Sequence, residues 1–233
     1  MLKKHLIAVS LLGLFSATSQ AQDLTVTLTN LTQGINFTPV IAASHDMDTS
    51  IFHVAQVASA ELTALAEGGS IADMATLLNT ANADVIENPN SGLLGASATT
   101  SFDLINSTGN DYLSIAAMML PTNDGFVGLD SWEIPSEAGT YTVYLNAYDA
   151  GTEANDELIV DGSGAAGTPG IPAAPGGDAG TGGSGVTDAQ SNASIHIHRG
   201  VLGDTDLSGG TSDLDSRVHR WLNPVAKLTV VVK

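Results

Sequence analysis

Two apolar runs that each stop at an acidic, turn-forming segment constrain this chain more than any other feature in it. Tyr112 to Leu120 (YLSIAAMML) runs into Thr122-Asn123-Asp124-Gly125, and Tyr141 to Tyr148 (YTVYLNAY) runs into Asp149-Ala150-Gly151-Thr152-Glu153. Leu113 to Leu120 is continuously apolar, as a central strand buried on both faces would be. Gly139 to Tyr148 alternates Tyr, Val and Leu with Thr and Asn, the period of a strand with one buried face. A strand that delivers carboxylates into a loop suits a hard cation: the strand fixes the loop and the loop supplies oxygens. The central expectation is that Asp124, Asp149 and Glu153 converge on one calcium ion.

The remainder of the chain reads mostly as strands. Leu24 to Leu28, Phe37 to Ala42, Ala98 to Ile105, Ala193 to Val201 and Val225 to Val232 carry period-two or β-branched patterns. Val54 to Ala66 changes to helical spacing and ends at Gly68-Gly69. Ser70-Ile71-Ala72-Asp73 resembles a capping box that opens a second short helix through Leu78. Residues 161–188 are rich in Gly and Pro without apolar period, which predicts a flexible surface loop inserted into the domain. The count, about eight strands with a short helical insertion, favours an all-β, two-sheet antiparallel sandwich.

Met1 to Ala21 has the form of a secretory signal. Lys3 and Lys4 precede a short apolar run, and Ser19-Gln20-Ala21 offers small residues at the cleavage positions. The expectation is an exported protein, periplasmic or secreted, whose folded domain spans residues 22–233. No stretch is apolar for long enough to predict a transmembrane helix. The chain has no Cys, so stability must come from core burial and from any bound ion.

Charge narrows the partners. The chain has 7 Lys and Arg against 25 Asp and Glu, and residues 22–198 contain no Lys or Arg at all. Such a surface cannot neutralise phosphates, which argues against nucleic acid and anionic membranes. Most of these carboxylates are expected to be ordinary solvated surface. No GxSxG, HExxH or catalytic Cys is present, and no phosphate-binding Gly motif, so an enzyme is not expected.

The segments LTVTLTNLTQGINFTPVIAASH, LSIAAMMLPTNDGFVGLDSWEIP, DAGTEANDE and SIHIHRGV resemble the spondin domain, the N-terminal module of F-spondin and mindin, also found alone in exported bacterial proteins. TNDGFVG and DAGTE, in that order, are the most specific pieces. The resemblance implies a C2-like β-sandwich in which three acidic side chains hold one calcium, and by motif position these are Asp124, Asp149 and Glu153. Two departures stand out: Gly125 replaces the aromatic residue usual in animal members, and the third acid is Glu rather than Asp. The animal disulfides and thrombospondin repeats are absent. Adhesion to an unidentified protein or glycan surface partner is the function the resemblance implies.

Two other readings rest on the residues. His196 and His198 alternate on one strand and share a face; with His45, His53 or His219 they could bind copper or zinc. Alternatively, the chain is an acidic structural surface protein with no specific ion. Asp204 to Asp215 forms a second acidic loop without EF-hand spacing that could hold a weak cation. For the calcium reading, an extracellular-type affinity of roughly 0.1 to 1 mM is expected.

Overall fold

The computed structural model describes residues 22–165 and 167–233; the expected signal, Met1 to Ala21, lies outside them. The elements follow the order β1 (Leu24–Asn30), β2 (Asn36–Phe37), β3 (Ile41–His45), α1 (Ala60–Gly68), α2 (Ala72–Thr80), β4 (Asp84–Glu87), β5 (Thr99–Leu104), β6 (Tyr112–Leu120), β7 (Gly125–Glu133), β8 (Gly139–Asp149), β9 (His196–Ile197) and β10 (Ala226–Val232). The protein is mostly β, with two short helices. The alternation read in LTVTLTN is realised in β1, where Leu24, Val26 and Leu28 are buried and the Thr residues between them face outward. In β6 every residue after Tyr112 is buried, as its unbroken apolar run requires.

Among the described residues the named strands pair antiparallel, on one hydrogen-bonded path β4-β3-β6-β7-β8-β10-β1-β5, with β2 beside β6 and β9 beside β8. β8 is the pivot of that path. Its first part, Gly139 to Leu145, pairs with β10, and its last part, Asn146 to Asp149, pairs with β7. A large apolar core joins β1 (Leu24, Val26, Leu28) to β6 (Leu113, Ile115, Ala117), although those strands are not paired. A second core lies under the helices, where Leu62, Leu65, Met74 and Leu78 pack with Ile41 and Phe126.

The two ends of the path, β4 and β5, approach one another, and a single carboxylate ties the seam. Asp84 accepts hydrogen bonds from the Ser107 N–H (2.7 Å), the Ser107 hydroxyl (2.7 Å), the Asn110 amide (2.8 Å) and the Ser44 hydroxyl (3.3 Å). These bonds hold its carboxyl below the usual range against an opposing push from burial. Asp84→Ala strands four donors at once. We expect a loss of about 2–3 kcal/mol, read by urea unfolding, with amide exchange accelerated in β4 and in residues 105–110. A loss below about 0.5 kcal/mol would show that the seam does not depend on this side chain.

The helices differ from expectation at their starts. Residues 54–59 are not helical; α1 begins at Ala60, with Ser59 as N-cap accepting the Leu62 N–H at 3.2 Å. The preceding residues are held otherwise: Ala55 and Gln56 exchange backbone hydrogen bonds with Ile195, both at 2.8 Å. The capping box at Ser70 does not form. The Ser70 N–H is bonded to Ala64 O at the end of α1, and α2 starts from Ile71 with no side-chain cap. β4 and β7 were not read as strands from the sequence.

Carboxylates also organise the long strand-poor region after β8. Glu157 is buried and accepts the N–H groups of Leu202 (2.6 Å) and Gly203 (2.8 Å) and the Ser212 hydroxyl (2.7 Å). Asp213 accepts the N–H groups of Ile159 and Gly183, each at 2.9 Å. Ile171, inside the Gly/Pro segment, is fully buried in the main core. Buried loop backbone needs acceptors, and here acidic side chains supply them. In the second acidic loop, Asp204 accepts from Asp206, Thr211 and Ser212 N–H groups.

Candidate metal centre

Asp124 and Asp149 meet because β7 starts where β8 ends. Gly125 is the register partner of Asp149, and the Ala150 N–H bonds to Asp124 O at 3.2 Å. The turn before β7 is fixed by Thr122, whose hydroxyl donates to Met119 O (2.6 Å) and accepts the Gly125 N–H (3.0 Å). A Cβ on Gly125 would sit 2.7 Å from Thr122 Oγ1 and 3.1 Å from His198 Cδ2. Thr122 and the His198 ring thus occupy space that a side chain at position 125 would need.

Asp124 is completely buried. Its Oδ2 accepts the N–H groups of Thr152 (2.8 Å) and Glu153 (3.1 Å) and the Thr152 hydroxyl (3.3 Å). Its Oδ1 is buried with no hydrogen-bond partner among the described residues. Burial, then the charge of Asp149, pushes its carboxyl up to about 6 despite those bonds. Asp149 is 2% exposed; Oδ1 accepts the Gly151 N–H (2.9 Å) and Oδ2 the Asn155 amide (2.7 Å). His196 Nε2 lies 3.6 Å from that Oδ2.

Glu153 follows a different course. Its main chain is tied to Asp124, but its carboxylate Oε2 accepts the Gly170 N–H (2.9 Å) and faces the Asn123 amide at 3.5 Å. Its Oε1 is buried without a partner among the described residues. Burial pushes this carboxyl up to about 7, with a larger contribution from the charge of buried Glu67 than from Asp124. The loop therefore brings Asp124 and Asp149 together and turns Glu153 toward the Gly/Pro segment. Among the described residues, no three His, Asp or Glu side chains stand in an arrangement ready to grip an ion.

The histidines divide similarly. His198 is buried; its Nδ1 accepts the Gly200 N–H at 3.0 Å, so the proton resides on Nε2, which has no partner among the described residues. Burial pushes its imidazole down to about 4, with the nearby Asp149 charge opposing. His45 bonds Ser114 and Asp46, His53 bonds Asp130, and His219 Nδ1 accepts the Asp215 N–H. None of these three is linked to the His196–Asp149 contact.

Chemically, the cradle presents two adjacent buried carboxylates and one orphaned oxygen on each of Asp124 and Glu153. Buried carboxylates without partners are costly, and a cation is what such groups fit. Asp124 and Asp149 would be the carboxylate ligands, with main-chain carbonyls and water filling a shell of six to eight oxygens. Supporting residues missed in the sequence are Thr152, Asn155 and Gly170, which hold the carboxylates, and Glu67, which faces Glu153. Asn155 stands in the same EAND stretch as Glu153 and was legible there; Glu67 and Gly170 carry no local signal.

A sequence profile described as Spondin_N matches residues 10–158. The match spans both TNDGFVG and DAGTE and stops short of the Gly/Pro segment, β9 and the second acidic loop. No curated protein matches the chain. With more than half of its length covered by that profile, the chain belongs to the Spondin_N family.

Proposed function

We propose that the protein is an exported, non-catalytic module that binds one calcium ion at Asp124 and Asp149 and mediates contacts with a protein or glycan surface. The observation that carries the metal reading is Asp124 Oδ1, buried and unpartnered beside a second buried carboxylate. When bound, calcium would supply the positive charge those carboxylates lack. Glu153 is the third proposed ligand; its Oε1 is unpartnered among the described residues, while its Oε2 is held by the Gly170 N–H. We read the fold as a C2-like two-sheet sandwich, with β5-β1-β10 facing β4-β3-β6-β7 and β8 crossing between them. The partner change along β8 and the core shared by β1 and β6 support that reading. Export rests on the N-terminal Lys3, Lys4 and apolar run.

Thermal unfolding in chelator and in calcium tests the centre. An ion held at 0.1 to 1 mM and supplied at about 10 mM adds roughly 1.4–2.7 kcal/mol. For a domain of this size that raises Tm by roughly 3–10 °C. Asp149→Ala is expected to abolish the rise. An equal rise in the variant would dismiss the ligand set, and no rise in the parent protein would leave an acidic structural protein as the better reading.

A second reading rests on His196 and His198, whose rings both feel the charge of Asp149; a metal on His198 Nε2 would have to displace the proton which that nitrogen carries. There copper or zinc would take the imidazoles in place of calcium. It predicts tight binding of either metal that disappears when His196 and His198 are replaced by Ala. Calcium-dependent stabilisation would persist in that double variant if the first reading is right.

A further inference from the structure

An apolar cleft that the metal centre does not use lies between residues 50–59 and the two helices. It encloses about 170 Å³ and is lined by Ile51, Phe52, Leu62, Met74, Leu77 and Ile195, among others. Its mouth mixes apolar and uncharged polar side chains: Val57, which lines it, is 73% exposed and stands among exposed His53, Gln56 and Ser59, with Val54 48% exposed nearby in the chain. Sites for whole small-molecule ligands begin at about 300 Å³. This cleft is nearer the size of one aliphatic or aromatic side chain.

Charge selects the occupant. Asp130 lies 3.1 Å from the lining residue His53 at the mouth, and Glu61 and Asp73 stand next in sequence to the lining Leu62 and Met74. Every lining residue falls within residues 22–198, a stretch without Lys or Arg. An acidic peptide or an anionic lipid surface is repelled from such a mouth, whereas a cationic segment is attracted and oriented. We propose that the cleft docks a basic segment of a partner protein, which inserts one apolar anchor side chain flanked by Lys or Arg. The proposal deepens the surface-interaction reading by naming the surface and the partner chemistry. It does not depend on calcium, since none of the proposed metal ligands lines the cleft.

The probe is a synthetic heptapeptide with Leu at its centre, Gly on either side and a pair of Lys at each end. It is titrated into isotopically labelled protein and followed by amide chemical shifts. The expected result is shifts concentrated at residues 50–59, Leu62, Met74, Leu77 and Ile195. Binding should weaken about tenfold or more when the central Leu becomes Gly, and again as salt is raised from about 20 to 300 mM. Val57→Lys, at an exposed position, should weaken binding by about tenfold and leave the calcium-dependent Tm unchanged. Equal binding of the Gly peptide, with shifts spread over the acidic surface, overturns the proposal in favour of non-specific charge attraction. No binding at millimolar peptide overturns it outright. Concentration-dependent shifts at the cleft without peptide would instead identify a second copy of the chain as the occupant. A loss of calcium response alone would touch only the metal centre.

Discussion

Gly151→Ala is expected to destabilise the protein by about 3–4 kcal/mol and to lower Tm by roughly 8–14 °C. Gly151 sits in the Asp149–Glu153 loop at φ +74°, where an L side chain is strained. Space is the larger obstacle. A Cβ there would lie 2.7 Å from the Ala193 carbonyl carbon and 2.9 Å from the Ser194 N, both backbone atoms. The segment leading into β9 would have to move, and with it His196, whose Nδ1 contacts Ser194 O. The Gly151 N–H also bonds Asp149 Oδ1 at 2.9 Å, so the metal cradle would be displaced together with the loop. Denaturant unfolding checks the first part: the midpoint should fall while the slope is unchanged. The calcium-induced rise in Tm should shrink in the same variant. A change within about 0.5 kcal/mol would mean that the loop accommodates a side chain and is not packed as described.

Asp124→Asn is expected to stabilise the protein in chelator above about pH 7, by roughly 1–3 kcal/mol, while removing its response to calcium. The sign follows from linkage. Asp124 has its carboxyl raised from 3.8 to about 6 in the folded state, so the native protein holds this proton more firmly than the unfolded chain. Its ionisation therefore costs stability as pH rises through that window, and the full penalty is present above it. The advantage of the neutral variant should close as pH falls from about 6 to 4, where the parent carboxyl protonates on its own. The difference between variant and parent is the quantity to follow, because other groups titrate nearby. Glu153, raised to about 7, acts in the same direction as Asp124. His198, depressed to about 4, acts oppositely: the unfolded chain takes up that proton first, and stability is lost as pH falls from 6.5. Asp215, lowered to about 2 by Arg217, and Asp84 lose stabilisation only at still lower pH. A variant less stable than the parent at neutral pH would contradict the description of Asp124 as a buried carboxyl whose charge is under-compensated.

What was legible in the sequence is what periodicity and chain order determine. β1, β6, β8 and β10 announce themselves by alternation or by an unbroken apolar run. The meeting of Asp124 with Asp149 follows from two apolar runs, β6 and β8, whose acidic turns fall at the same end, although in the fold β7 lies between them and pairs with both. β7 was not legible. GFVGLDSWE is buried on both faces at its start and half-exposed later, its register against β6 shifts between Leu113 and Ile115, and Ser131 adopts φ +47°. No single period survives such an irregularity. β4, only DVIE, is a strand because β3 pairs with it. The start of α1 was set by a tertiary contact, the bonding of Ala55 and Gln56 to Ile195 far along the chain. The orientation of Glu153 was hidden for the same reason: Gly170 and Glu67, which decide it, lie in other segments. The buried acids Glu157 and Asp213 looked like solvated surface, because their partners are backbone N–H groups, which leave no mark in composition.

Calorimetric titration of calcium into the metal-free protein at about pH 6.5, beside Asp124→Asn and Asp149→Ala, is the most direct measurement of the proposed centre. The geometry predicts one ion per chain. It also predicts proton release on binding, seen as a dependence of the heat on the buffer, because carboxyls raised to about 6 and about 7 must ionise to ligate. Both variants should bind no calcium. Undiminished binding in the variants, or a calcium heat with no proton release, would place the ion elsewhere on this acidic surface and contradict the centre at Asp124 and Asp149.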